Sequence, residues 1–181
     1  MNITTTGLKD CVIIEPKVFT DSRGVFFESY NKRILEKELN TKLTFVQDNH
    51  SVSVKGALRG LHFQKGDKAQ AKMVRVIQGA VLDVVVDLRK DSPTFKNHFK
   101  IVLTSESREM LYIPKGMAHG FIALQDNTVF LYKCDSYYDK ESESGIFYND
   151  PDLNIDWEFD SSKLILSDKD RKLPLLKELD I

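Results

Sequence analysis

Cysteine is nearly absent: Cys11 and Cys134 are the only two in 181 residues, too far apart in the chain for metal-ligand spacing and too few for a disulfide framework. Both are expected to be reduced thiols of a cytoplasmic protein. No apolar run approaches the roughly 20 residues that a bilayer-spanning helix needs, and the N-terminus carries no apolar leader, so no membrane partner is expected. An excess of either charge is also missing: 26 Lys and Arg face 27 Asp and Glu, for a net charge of -1. Such a chain has no whole-protein field to draw a nucleic acid, and any anion site must be local. Nine glycines and five prolines lie scattered, without linkers, low-complexity blocks or repeats, which points to one domain over residues 1–181. Neither a phosphate-binding loop nor a dinucleotide glycine fingerprint occurs, which excludes the common nucleotide-hydrolysing and hydride-transferring designs.

What is present is strand periodicity. Leu82, Val84, Val86 and Leu88 alternate with Asp83, Val85 and Asp87, the period-two pattern of a half-buried strand. Phe99, Ile101 and Leu103 alternate in the same way with Lys100 and Val102. Further strand-like runs cover 11–15, 25–29, 45–53, 57–64, 72–78, 111–113, 120–124 and 128–132. Turn residues such as Lys55-Gly56, Gln78-Gly79 and Pro114-Lys115-Gly116 separate them, as expected for antiparallel neighbours. The pattern predicts a mainly β sandwich or barrel, with its core over about 10–138. One helix is predicted over 31–39, capped by Asn31 and carrying an apolar stripe of Ile34, Leu35 and Leu39. Beyond Tyr137 the chain turns polar, and 139–181 is expected to form an ordered cap or tail. Part of 161–181 can be helical, within the limit that Pro174 sets.

Polar side chains crowd two neighbouring strands, Gln47-Asp48-Asn49-His50-Ser51 and Arg59-Gly60-Leu61-His62-Phe63-Gln64. Burying so many hydrogen-bonding groups in an apolar core would be costly, so they imply a polar cavity. Strict alternation places Gly60, His62 and Gln64 on one face and Arg59 on the other; a bulge is needed to bring Arg59 in. A second histidine, His119, follows Pro114-Lys115-Gly116-Met117-Ala118 in a setting that resembles the second motif of cupin barrels. Where metal-binding cupins supply two histidines and a glutamate, this chain has His62-Phe63-Gln64, an incomplete ligand set from which no metal is expected.

With these motifs in place, the chain resembles the dTDP-4-dehydrorhamnose 3,5-epimerase family over nearly its whole length. The resemblance is carried by Asp21-Ser22-Arg23-Gly24-Val25-Phe26-Phe27-Glu28, the Gln47 to Gln64 block and Ala71-Lys72-Met73-Val74-Arg75-Val76. It continues through Tyr112-Ile113-Pro114-Lys115-Gly116-Met117-Ala118-His119-Gly120-Phe121, Phe130-Leu131-Tyr132-Lys133 and Leu166-Ser167-Asp168-Lys169-Asp170. It implies a cupin-like jelly roll with a few short accessory helices, a homodimer, a dTDP-linked 4-keto-6-deoxyhexose substrate and no cofactor.

The resemblance also assigns residues. His62 matches the family's base and Asp170 its partner, with Asp168 as the competing carboxylate. Tyr132 matches the proton donor, and Lys72 the cation at the enolate oxygen. Arg23, Glu28, Gln47, Asn49, Arg59, His119, Glu143 and Lys169 match substrate-binding positions. A relative that inverts a single centre, a ketoisomerase, and a non-catalytic sugar-binding cupin are the alternatives; His62 together with Tyr132 favours two-faced proton transfer over mere binding.

Overall fold

The computed structural model describes residues 1–180. Thirteen strands and one α-helix make up the regular structure of those residues: β1 (Asn2–Thr5), β2 (Val12–Glu15), β3 (Val18–Asp21), β4 (Gly24–Phe27), α1 (Lys32–Leu39), β5 (Gln47–Ser53), β6 (Leu58–Gln64), β7 (Lys72–Gln78), β8 (Ala80–Asp87), β9 (His98–Thr104), β10 (Met110–Ile113), β11 (Met117–Ala123), β12 (Thr128–Cys134) and β13 (Glu143–Gly145). Ten of the strands expected from periodicity are present within a few residues of their predicted ends. The exceptions were too short or too exposed to alternate visibly: β1, β3 and the three-residue β13.

Two antiparallel sheets face each other, ordered β1-β2-β10-β7-β12-β5 and β13-β6-β11-β8-β9, while β3 and β4 form a separate hairpin. Alternate side chains of both sheets meet between them, with Val74, Val76, Val85, Leu111, Phe121 and Phe130 in one apolar cluster. This is the cupin-like jelly-roll arrangement of a two-sheet core. Helix α1 covers part of the outer face of the six-stranded sheet, where Leu35 packs with Ile14, Met73 and Met110. Its N-terminus is capped as the sequence predicts, the Asn31 side chain accepting from the Ile34 amide.

Strand β8 departs from the half-buried expectation: all eight of its residues are buried. Its inner face, Val81, Asp83 and Val85, points between the sheets, whereas Leu82, Val84 and Val86 pack outside against Leu153, Ile155, Trp157 and Leu176 of the tail. The tail therefore does the work of another layer without being one. It forms short 3₁₀ turns at Ser161–Lys163, Asp170–Lys172 and Leu176–Glu178, not an α-helix.

Strands β6 and β11 approach too closely for side chains at their crossing. His119 pairs with His62 but Phe121 pairs with Arg59, so three residues of β6 span two of β11. The extra residue is Gly60, with φ of +123°, where a Cβ would stand 2.5 Å from Gly120 Cα and 2.8 Å from the His119 carbonyl oxygen. This bulge corrects the strict-alternation reading and turns Arg59 to the same face as His62. Gly60→Ala meets immovable backbone in a conformation that L-residues avoid. It is expected to destabilise the fold by about 2 to 6 kcal/mol, one unfavourable dihedral plus one overpacked contact. Urea unfolding of the purified variant checks this, and a loss below about 1 kcal/mol contradicts the close-packed bulge.

Candidate active site

One end of the space between the sheets is left open as a cavity of about 660 Å³, within the size range of small-molecule sites. The five-stranded sheet contributes Arg59, His62 and His119 to it, and the six-stranded sheet contributes Gln47, Asn49, Lys72 and Tyr132 from the opposite wall. The tail and β13 close the rim with Glu143, Lys169 and Asp170. Of the twelve site residues expected from the sequence, ten converge here. Arg23 and Glu28 do not. Arg23 sits at the tip of the β3–β4 hairpin, its side chain 88% exposed and paired with Asp21, and Glu28 accepts a hydrogen bond from Asn31.

His62 Nε2 lies 2.6 Å from Asp170 Oδ1. An ionised carboxylate can only accept, so the shared proton resides on Nε2 and the free lone pair of neutral His62 is on Nδ1. Burial by itself raises the Asp170 carboxyl, but the hydrogen bond from His62, helped by the Ser167 hydroxyl, holds it below the ordinary aspartate value. The 3₁₀ turn that begins at Asp170 aims it inward, and the Asp170 amide donates to Ser167 Oγ. Asp168, the competing carboxylate, is exposed.

Tyr132 lies on β12 across the cavity, beside Asn49 in the sheet register. Burial raises its phenol above the usual tyrosine value, against a smaller opposing effect of Arg59. It stays protonated at neutral pH, in the form that can give a proton. Lys72 is 8% exposed and its Nζ donates to the His62 carbonyl at 3.5 Å. Burial lowers its ammonium below the ordinary lysine value, while the carboxylates of Asp83 and Glu143 work to keep it charged.

His119 is held by a residue that sequence reasoning placed on a solvent face. Asp83, fully buried on β8, has its two carboxylate oxygens 3.1 and 2.9 Å from His119 Nε2. An aspartate alternating with valines looks solvent-facing in sequence; only the second covered face of β8 shows where it points. Tyr138 was also missed. It lines the cavity from the polar loop after β12, and its hydroxyl donates to Glu143 at 2.8 Å. Glu143 in turn pairs with Lys169. Among the described residues, no group of three or more His, Cys, Asp or Glu side chains is placed to hold a metal ion. Cys11 and Cys134 are buried and unpaired.

A histidine paired with a buried carboxylate, facing a protonated phenol and a buried ammonium inside a cupin-like jelly roll, fits a sugar-epimerase type of site. The family model for dTDP-4-dehydrorhamnose 3,5-epimerase matches residues 5–178, and the chain belongs to that family. It is 49% identical to the dTDP-4-dehydrorhamnose 3,5-epimerase of Salmonella typhimurium over 178 residues, 98% of this chain and 97% of that one. The crystal structure of the Elizabethkingia anophelis enzyme of the same name superposes with a TM-score of 0.97 at 48% identity, covering 100% of this chain and 99% of the other. A Legionella pneumophila dTDP-6-deoxy-D-glucose-3,5-epimerase in complex with dTDP-4-keto-L-rhamnose superposes with a TM-score of 0.94 at 45% identity, covering 99% and 94% of the two chains.

The depressed Asp170 carboxyl makes this contact pH-dependent. Its folded value lies below the unfolded one, so the stability it adds is present above about pH 4 and fades as pH falls through the folded value. Asp170→Asn is therefore expected to cost about 1.5 to 3 kcal/mol at pH 7, the range for a hydrogen bond to a charged group, and clearly less at pH 3. Urea melts at the two pH values measure this, and an equal cost at both contradicts the assignment.

Proposed function

We propose that the protein inverts C3 and C5 of dTDP-4-dehydro-6-deoxy-D-glucose to give dTDP-4-dehydro-L-rhamnose, a step of dTDP-rhamnose biosynthesis in the cytoplasm. The observation that carries the residue roles is that His62 and Tyr132 stand on opposite sheets across one cavity. A ketone at C4 acidifies the protons on C3 and C5, because loss of either leaves an enolate with its charge on the C4 oxygen. Inversion then needs a base on one face of the sugar, an acid on the other, and a cation at that oxygen. The acidity comes from the substrate's own ketone, so the chemistry calls for no cofactor.

His62 Nδ1 takes the proton, and Asp170 stabilises the imidazolium that forms. Lys72 neutralises the enolate oxygen, where a charge shielded from water has most effect. Tyr132 returns a proton to the opposite face. His119, oriented by Asp83, hydrogen-bonds the sugar. Arg59 and Lys169 serve the diphosphate; a guanidinium fork suits its oxygens. Gln47, Asn49 and Glu143 serve the nucleoside side.

The homodimer is supported by the apolar side chains that the β3–β4 hairpin leaves in water, with Phe19 52% and Phe26 68% exposed, a pattern typical of an uncovered interface. In that assembly the hairpin is offered to the second copy, and with it Arg23 and Glu28.

Two variants test the roles. His62→Ala is expected to abolish solvent exchange at the sugar carbons while dTDP still binds; exchange at the wild-type rate rules His62 out as base. Tyr132→Phe keeps the ring and is expected to lose about 10² to 10⁴ in inversion rate, the usual weight of a general acid, while exchange persists. A folded Tyr132→Phe protein that forms the doubly inverted product at the wild-type rate returns Tyr132 to a structural role.

A further inference from the structure

The segment that leaves β12 and crosses to β13 has no strand neighbour along Ser136–Asp139, and its backbone is held by glutamine side chains instead. Gln70 Nε2 donates to the Ser136 carbonyl at 2.8 Å. Gln64 Nε2 donates to the Tyr137 carbonyl at 3.2 Å and to the Lys68 carbonyl at 2.7 Å. Gln47 Oε1 accepts from the Tyr138 amide at 2.9 Å, and Gln64 Oε1 accepts from the Asp139 amide at 2.8 Å. Four consecutive residues are thus pinned by three glutamines from β5, β6 and the approach to β7. Gln64 carries two of the four bonds to this segment and a third to the Lys68 carbonyl, and is 5% exposed. All three glutamines and Tyr138 border the cavity.

We infer that Gln64 and Gln70 are positioning residues, which with Gln47 clasp Ser136–Asp139 as a fixed wall so that Tyr138, and through its hydroxyl Glu143, meet the nucleotide end of the substrate already in place. This rests on the function proposed above. An unclasped polar loop would have to be ordered by the ligand, at the expense of affinity. A primary amide is the side chain that suits the task, since it donates and accepts at once and is uncharged. Gln64 is two residues from His62 on the same strand face; a carboxylate there would repel Asp170 and the diphosphate, and an ammonium would oppose the imidazolium. The position at which metal-binding cupins carry a ligand is thus occupied by a group whose amide is fully engaged with backbone.

Gln64→Met, which keeps the volume and removes all three bonds, and Gln70→Ala, which removes one from a less buried site, test the clasp in the full-length protein. Three readouts are taken: amide exchange of the 136–139 peptide by mass spectrometry without ligand, calorimetric affinity for dTDP alone, and steady-state kinetics. For Gln64→Met the expected result is faster exchange confined to that peptide, with dTDP affinity weakened and KM raised by about tenfold each, and kcat within about twofold, the pattern of lost ground-state binding. Gln70→Ala shifts the same quantities in the same direction by a smaller factor, and keeps the test alive if Gln64→Met does not fold. A purely structural role lowers the melting temperature and leaves affinity and KM unchanged in folded protein; that result overturns the inference. Unchanged exchange at 136–139, or a fall in kcat at constant KM, overturns it as well. If the wild type binds dTDP but does not epimerise, the proposed function fails, while the exchange and dTDP arms still decide the clasp.

Discussion

A carboxylate removed from water must find a partner, and the Asp170 side chain, 6% exposed, finds His62 at 2.6 Å. That contact ties the end of the chain to the middle of the five-stranded sheet, 108 residues earlier. The tail can reach this point because its apolar residues bury the outer face of β8 on the way. Losing the contact would strand a buried charge, which is costlier than losing an ordinary hydrogen bond. The same bond decides which imidazole nitrogen is free, so the interaction that closes the fold also sets up the chemistry proposed for His62.

Around this pair the cavity balances its charges at short range. Lys72 and His119 are both buried beside the fully buried Asp83. Burial raises the Asp83 carboxyl, and the hydrogen bonding of His119 and the Lys72 ammonium pull it back. Glu143 follows the same logic nearer the rim: burial raises it, and Lys169 and Tyr138 bring it below the ordinary glutamate value. A dianionic diphosphate sugar entering such a site meets cations whose positions are set in advance, the condition under which electrostatic stabilisation of a transition state is largest.

Much of this was legible in the sequence, for identifiable reasons. Strands with one apolar face announced themselves by alternation, and Asn31 announced the helix start. Period two cannot tell what covers the outer face of a strand, which is why β8 looked half-solvated and Asp83 looked exposed. The bulge at Gly60 was visible only as a requirement, because Arg59 and His62 differ by three positions and strict alternation separates them. The resemblance assigned Asp170 to His62, but pattern and spacing alone could not separate it from Asp168; a single 3₁₀ turn carries Asp170 inward and leaves Asp168 in water. Tyr138 lay in a polar loop without periodicity, where only the side chains that fasten the loop reveal its place.

In the proposed reaction one cavity removes and returns protons at the two carbons flanking a ketone. The most direct measurement is to incubate the wild-type protein with dTDP-4-keto-6-deoxyglucose in deuterated water and read C3 and C5 of the product by NMR. Deuterium at both carbons of a doubly inverted sugar is the predicted result. Label at a single carbon, or inversion without label, contradicts it.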